Sequence, residues 1–143
     1  MTGLDTGLAQ VRAVQSGTLP PPGIAGLIGF TLSRVDHGDV EATLETRADM
    51  TNPMGGVHGG IAATLLDTVM GCAVHTVLEP GEGYTTTDLH VHYVRGVQPG
   101  KTVVATGTVV HRGRRLATAE GRLVDEQGRL VAHGTTSCMV FPA

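Results

Sequence analysis

The longest apolar stretch of the chain, residues 59–78, decides what kind of fold the chain can adopt. Its large apolar side chains recur all round a helical wheel: Ile61, Leu65, Leu66, Val69, Met70, Val74, Val77 and Leu78. A helix that is apolar on every side has to be buried, either in a protein core or in a membrane. Asp67 lies near its middle and small residues fill the gaps, so the pattern favours a core helix over a membrane span.

Alternating apolar and polar residues on both sides of this segment predict strands. Two strands precede it, around a turn rich in Asp and Gly, and four follow it: residues 27–35, 39–46, 84–95, 101–110, 115–125 and 130–141. Short turns separate the last four, which is the spacing of a meander. Because a helix buried on all sides needs a curved sheet on more than one side, we predict an α+β fold, with a curved antiparallel β-sheet wrapped around one long central α-helix.

The 143 residues fit one domain, since domains average about 150 residues. Residues 4–15 have amphipathic helical spacing and a run of three prolines follows them. We therefore predict an N-terminal helix and proline-rich linker over residues 1–23 and a single domain over residues 24–143. Cys72 and Cys138 form no disulfide framework, and the first residues have no signal-peptide pattern, so we expect a cytoplasmic protein.

Charge and aromatic content argue against binding of double-stranded or single-stranded nucleic acid. The chain has 10 Lys and Arg against 13 Asp and Glu, so it lacks the basic excess that a duplex-binding surface needs. Aromatic residues make up 3% of the chain and Trp is absent, which leaves little for stacking on single-stranded nucleic acid. We therefore predict no nucleic-acid partner, and the core-helix interpretation of residues 59–78 predicts no membrane association.

Asp67 is the first candidate for a functional residue. A carboxylate in the middle of an apolar helix is costly unless it is paired, hydrogen-bonded or protonated. Its neighbours at three- and four-residue spacing are mostly small, which leaves room for a slot beside the carboxylate or for the close approach of another helix. The structural alternative is an Asp67 that is satisfied by Thr64, Thr68 or a buried water.

A glycine-rich loop leads directly into the predicted helix. It reads Asn52-Pro53-Met54-Gly55-Gly56-Val57-His58-Gly59-Gly60. Glycines at a helix N-terminus leave backbone N–H groups unshielded, and the helix dipole adds positive potential, so an oxyanion could be held there. A phosphate-binding loop is disfavoured because no Lys-Ser/Thr pair follows and the glycine spacing differs. A flexible loop without a chemical role is the structural alternative.

Together, the loop and the carboxylate resemble the signature of a known family. The run from Asn52 through His58-Gly59-Gly60 to Asp67 is similar to that of hotdog-fold acyl-CoA thioesterases, in the phenylacetic-acid-degradation (PaaI-like) branch of the 4-hydroxybenzoyl-CoA thioesterase superfamily. The likeness extends over residues 24–141. It implies hydrolysis of an acyl-CoA thioester, with Asp67 as nucleophile or general base and the Gly59 N–H polarising the carbonyl. It also implies that Asn52 orients water or the carbonyl, and that His58 has a local structural role.

The coenzyme A moiety of the substrate is expected to be bound by the glycine-rich loop and by a basic turn. The expected contacts are Gly60, Arg112, Arg114 and Arg115, although composition alone equally fits a solvated turn. The chemistry requires no metal, and we expect no cofactor beyond the CoA of the substrate. Gly71 stands where relatives often carry Ser or Thr, so a hydroxyl is missing there unless Thr64 or Thr68 replaces it.

The spacing of the two candidate groups predicts an oligomer. Gly59 and Asp67 are eight positions apart, which is about 12 Å along a helix, so they cannot both touch one carbonyl. Gly59 of one subunit must therefore meet Asp67 of another, with the two central helices antiparallel about a twofold axis. We predict an obligate homo-oligomer, at least a dimer, and the resemblance implies a dimer of dimers, a homotetramer.

Two other functions stay open from the sequence. The chain could be a non-catalytic module that binds acyl-CoA or lipid, or an enoyl-CoA hydratase, although Asp49, Asn52-Pro53 and His58 depart from the D-x-N-P-x-H spacing. His90 and His92 share a strand face and could bind a metal, but no third ligand is evident.

The acyl group is equally open. Aryl-acetyl, hydroxybenzoyl-like and medium-chain fatty acyl groups all fit the pattern. We expect the acyl slot to depend on Met54, Met70 and the N-terminal segment.

Overall fold

The long apolar segment forms a helix, and one antiparallel six-stranded sheet packs against it. The structure is a computed structural model and describes residues 4–143. Its elements are α1 (Gly7–Ser16), α2 (Gly23–Ile28), β1 (Thr31–Asp36), β2 (Asp39–Glu45), a short 3-10 helix (Ala48–Met50), α3 (Gly59–Thr76), β3 (Glu82–Tyr93), β4 (Thr102–Arg112), β5 (Leu116–Val124) and β6 (Leu130–Pro142). Because α3 contacts all six strands, the sheet has to curve around it, as predicted.

The order of the strands corrects the predicted meander at one strand. The sheet runs β1-β2-β4-β5-β6-β3, so β4, β5 and β6 form a meander, whereas β3 lies at the far edge and pairs with β6. The prediction that β3 precedes β4 in the sheet was wrong. The turn before β4 marks where a strand begins, but it does not decide which strands pair. The connecting residues 94–101 are long enough to carry the chain from one side of the sheet to the other.

The first predicted strand begins later than the pattern suggested. Leu27 and Ile28 belong to α2, and β1 starts only at Thr31. The helix ends at Gly29, whose φ of 93° is the left-handed conformation that glycine adopts at helix C-termini. The Arg47 guanidinium donates to the carbonyls of Leu27 and Ile28 at 3.4 and 2.6 Å, which stabilises that helix end. The β1–β2 hairpin itself is confirmed.

The core lies between α3 and the sheet. Leu65, Leu66, Val69 and Met70 are at most 1% exposed, so Met70 belongs to the core, and the expectation that it lines a slot was wrong. Gly107 of β4 allows the helix to lie directly on the sheet, because a Cβ there would come within 2.5 Å of the Val69 backbone. No helix in the described part of the chain is long and apolar enough to cross a membrane.

One face of α3 is not covered by any of the described residues. Gly60 and Asp67 are exposed, and Ala63 and Thr64 between them are only partly buried. We call these four residues the open strip; their three- and four-residue spacing places them along one side of the helix. The prediction that the helix is buried all round was therefore wrong for this face within a single chain.

The N-terminal helix packs onto the C-terminal half of α3. A Cβ at Gly7 would lie 1.8 Å from the His75 carbonyl oxygen, so only glycine permits this approach. The Gln10 side chain hydrogen-bonds the His75 ring at 2.8 Å, and Val11 is 3% exposed. The predicted helix is confirmed for the described residues, while residues 1–3 of the predicted N-terminal segment lie outside them.

Candidate active site

Asp67 presents an accessible carboxylate on the open strip. Its Oδ1 accepts a hydrogen bond from the Thr86 hydroxyl of β3 at 3.3 Å, which is long for two oxygen atoms. The hydroxyls of Thr64 and Thr68 donate instead to the helix carbonyls of Gly60 and Thr64, at 2.9 and 2.7 Å. The structural alternative, in which Thr64 or Thr68 satisfies Asp67, is therefore wrong. The carboxylate keeps acceptor sites for a substrate or a water molecule.

The start of α3 leaves one backbone donor free. His58 is the N-cap residue: its Nδ1 accepts from the Gly60 N–H at 2.8 Å, and its carbonyl accepts from the Ile61 N–H at 3.0 Å. The Gly59 N–H donates to no acceptor among residues 4–143. Because the dipole of α3 adds positive potential at this end, the free N–H is suited to a developing oxyanion.

Asn52 organises the loop that precedes this donor. Its Oδ1 accepts from the N–H groups of Met54 and Gly56 at 2.9 and 3.2 Å, and its own N–H donates to the Gly56 carbonyl at 2.8 Å. The side-chain oxygen is thus committed to the loop. Only the amide NH₂ remains for a ligand, so Asn52 can serve as a hydrogen-bond donor there.

A cavity of about 380 Å³ opens beside these residues. Asn52, His58, Gly59 and the ring of Tyr93 lie in its wall, and its deeper wall is apolar. The Tyr93 hydroxyl donates to the Gly59 carbonyl at 2.7 Å, which holds the first turn of α3 against β3. Asp67 does not line this cavity. The structure therefore brings the loop residues together but leaves the carboxylate elsewhere on the same helix.

Two hydroxyls near Asp67 come from β3 rather than from α3. Besides Thr86, the phenol of Tyr84 covers Gly71: a Cβ at Gly71 would lie 3.3 Å from the Tyr84 hydroxyl oxygen. Burial raises the pKa of Tyr84, so its hydroxyl stays protonated and able to donate. Sequence reasoning missed both residues. The available signal was their two-residue spacing, which places them on one face of a strand.

The three arginines of the basic turn between β4 and β5 have two different surroundings. The Arg112 guanidinium is half-buried, pairs with Glu82 and donates to the Gly113 carbonyl. The Glu79 N–H, and then Arg112, lower the pKa of Glu82, so this ion pair persists at neutral pH. Arg114 and Arg115 are exposed, and their side chains have no hydrogen-bond or ion-pair partner in the described part of the chain. Of the three, only these two are free to hold a phosphate.

The other candidate groups have structural surroundings. His92 stacks on His133 with ring centroids 5.1 Å apart, and no group of three metal-binding side chains occurs within residues 4–143. Burial raises the pKa of Cys72 to about 11 and also raises that of Cys138, so both thiols stay protonated. Neither cysteine is suited to act as a nucleophile.

Comparison with known proteins bears on the family of this chain. A profile of the thioesterase superfamily matches residues 54–132. Human acyl-coenzyme A thioesterase 13 is 30% identical over 106 residues, which cover 73% of this chain and 75% of that protein.

Solved structures extend the likeness to the fold. The phenylacetic acid degradation-related protein of Ralstonia eutropha is 31% identical, with a TM-score of 0.82 over 90% of this chain and 97% of that one. The PaaI protein of E. coli has a TM-score of 0.84 over 99% of this chain and 98% of its own, but at 21% identity it bears on the fold alone. The predicted hotdog fold is confirmed.

Proposed function

The chain belongs to the thioesterase superfamily, and we propose that it hydrolyses an acyl-CoA thioester to the free acid and CoA. One observation carries this proposal. An accessible carboxylate on the open strip and a backbone N–H that has no acceptor among residues 4–143 lie on the same helix, α3. A general base or nucleophile and an oxyanion donor are the two groups that acyl transfer needs.

The active unit in this proposal is at least a dimer. The side chains of the open strip are small enough for a second α3 to approach closely, and the outer edge of β3 has no partner strand among residues 4–143. About 12 Å separates Gly59 from Asp67 along α3. An antiparallel pair of α3 helices on a twofold axis places Gly59 of one subunit opposite Asp67 of the partner subunit, and creates two equivalent sites.

The chemistry then follows from these groups. The Gly59 N–H of one subunit binds the thioester oxygen, with the Asn52 amide as a second donor. Asp67 of the partner subunit either removes a proton from the water that attacks the carbonyl carbon, or attacks that carbon itself to form an anhydride that water opens. In both cases the C–S bond breaks, and the CoA sulfur leaves and is protonated. The Gly59 N–H stabilises the tetrahedral oxyanion in either route.

The proposal also covers CoA binding, the location in the cell and the assembly of the subunits. Arg114 and Arg115 bind the CoA phosphates, and no cofactor beyond that CoA takes part. Both cysteines are free thiols, which supports a reducing, cytoplasmic location. The dimers pair into a homotetramer, as the family resemblance implies.

The proposal is tested by measuring thiol release from a panel of aryl-acyl and fatty acyl-CoA esters with the purified protein. We expect release from at least one ester, with equimolar free acid. Binding of an ester without turnover would favour the acyl-CoA-binding module instead. Loss of the enoyl absorbance of an unsaturated ester, without thiol release, would favour the hydratase.

Thr86 is proposed as a positioning residue for Asp67. Replacing it with Val removes the hydroxyl but keeps the shape, so we expect kcat to fall about tenfold, because the Asp67 carboxylate loses the Thr86 donor. KM should stay within about twofold of the wild-type value, because the substitution leaves the proposed substrate-binding groups in place. Thr86→Ser should restore kcat. Thr85→Val, at the exposed neighbouring position, is the control, and an unchanged kcat in Thr86→Val would contradict the role.

A further inference from the structure

A second and larger cavity, of about 890 Å³, lies between α3 and the N-terminal part of the chain. We call residues 7–29, which contain α1, the three prolines and α2, the N-terminal cover. The cover supplies most of the cavity wall: Val11, Val14, Gln15, Pro20, Pro21, Pro22, Ala25, Gly26 and Gly29. The opposite wall consists of Phe30, Thr31, Leu32, Thr68, Cys72, His75 and Tyr84.

The cavity begins next to the candidate carboxylate. Thr68, which directly follows Asp67, is part of its wall, and Cys72 and His75 continue along the same side of α3. From Thr68 to His75 the helix advances seven positions, or about 10 Å. A chain attached to a carbonyl at Asp67 can thus extend along the helix beneath the cover.

The cover is held at both ends, so the cavity is preformed. At α1, the close contact of Gly7 with His75 and the buried Val11 fix the helix on α3. At α2, the Arg47 guanidinium holds the C-terminal carbonyls. Between the two helices, the consecutive prolines restrict the backbone. A cavity with walls fixed in this way does not collapse when it is empty.

Among the described residues that line the cavity, none is Asp, Glu, Lys or Arg. The imidazole of His75 in this wall has its pKa lowered by burial and is hydrogen-bonded to Gln10, so it is neutral at physiological pH. Most of the remaining wall is hydrocarbon. An uncharged hydrocarbon ligand fits this wall, whereas an acyl group that ends in a carboxylate would lose its hydration without gaining a partner.

We propose that this cavity binds the acyl group of the thioester, and that it selects straight-chain hydrocarbon acyl groups of about octanoyl length. The inference rests on the proposed function, because it takes Asp67 as the place of the reacting carbonyl. An extended octanoyl chain matches the length of about 10 Å that the cavity follows along α3 from Thr68 to His75. Acetyl and phenylacetyl are shorter, so both forgo contacts at the His75 end that octanoyl makes. The N-terminal cover lies outside residues 54–132, so this selectivity belongs to a part of the chain that the superfamily profile does not match.

Two glycines of α2 offer a matched test. A Cβ at Gly26 or at Gly23 would meet no atom within 4 Å, so either position accepts a larger side chain, but only Gly26 lines the cavity. No residue of α2 is fully buried, so we expect neither substitution to unfold the protein. We expect Gly26→Phe to lower kcat/KM for octanoyl-CoA about tenfold or more while butanoyl-CoA changes less than about twofold. Gly23→Phe should leave both values unchanged.

A binding measurement separates failure of this inference from failure of the proposed function. Calorimetry with octyl-CoA and ethyl-CoA thioethers, which cannot be hydrolysed, reports on the cavity without turnover. Tighter binding of the octyl thioether by the wild type, abolished in Gly26→Phe and kept in Gly23→Phe, supports the acyl pocket even if no ester is hydrolysed. Equal affinity for both thioethers overturns it. An active enzyme in which Gly26→Phe affects all chain lengths alike overturns the pocket and leaves the hydrolysis standing.

Discussion

Asp67→Asn is expected to lower kcat for acyl-CoA hydrolysis about a thousandfold, the effect of removing a general base or nucleophile. The amide has the shape of the carboxylate, but it can neither take a proton nor attack a thioester. Folding should be nearly unaffected, because Asp67 is exposed and the bond that its carboxylate accepts from Thr86 is long. The measurement is steady-state thiol release, beside thermal unfolding and the oligomeric state of the same preparation.

The control for this substitution is Glu120→Gln. Glu120 is an exposed carboxylate on β5, remote in sequence from the loop and from α3, and it loses the same charge. We expect the control to keep wild-type activity. If Asp67→Asn keeps it as well, with an unchanged oligomeric state, Asp67 is not part of the chemistry and the proposed mechanism is wrong.

The local parts of the fold could be predicted from the sequence because they depend on neighbouring residues. The helical period over residues 59–78 and the glycine-rich loop before it correctly placed α3 and its N-terminus. The turn chemistry around His37-Gly38 did the same for the β1–β2 hairpin. In both cases a few consecutive side chains determine the backbone, so no knowledge of distant contacts was needed.

The residues around Asp67 depend on contacts that no local pattern reports. Thr86 and Tyr84 reach α3 because β3 pairs with β6 at the edge of the sheet, and because its register shifts between Thr86 and Asp88. The sequence shows a strand there, but not its neighbours or this irregularity. Likewise, the charge pattern grouped Arg112 with the other arginines of its turn, whereas Glu82, thirty positions away, holds it.

The exposure of Asp67 has a related cause. An apolar pattern all round a helix indicates that every face is covered. The pattern does not show whether the covering residues belong to the same chain or to another one. The sheet covers most of α3, and the described residues leave the open strip exposed. The carboxylate that the pattern placed in a core is therefore accessible in a single chain, and the proposed dimer would place it at a contact between subunits. That interpretation makes the donor at Gly59 the second decisive test.

Gly59→Pro is expected to lower kcat about a hundredfold or more, because it removes the N–H that would stabilise the oxyanion. The substitution suits the backbone. Gly59 is the first residue of α3, where proline is favoured, and His58 before it has φ −62° and ψ 137°, which are compatible with a following proline. Gly59→Ala is the matched control: it adds the same Cβ, 3.2 Å from the Tyr93 ring, but keeps the N–H. It should lose only a few-fold in kcat, and equal losses in both variants would contradict the donor role.

Co-assembly of the two inactive variants tests whether the site is shared between subunits. When Gly59→Pro and Asp67→Asn subunits are mixed under conditions that exchange them, about half of the dimers are mixed, and each mixed dimer has one site with both groups intact. We therefore expect about a quarter of the wild-type activity to return. If each subunit instead used its own Gly59 and Asp67, every site in the mixture would carry one defect and nothing would return. Recovery thus requires that the donor and the carboxylate of one site come from different chains, as their separation along a single helix demands.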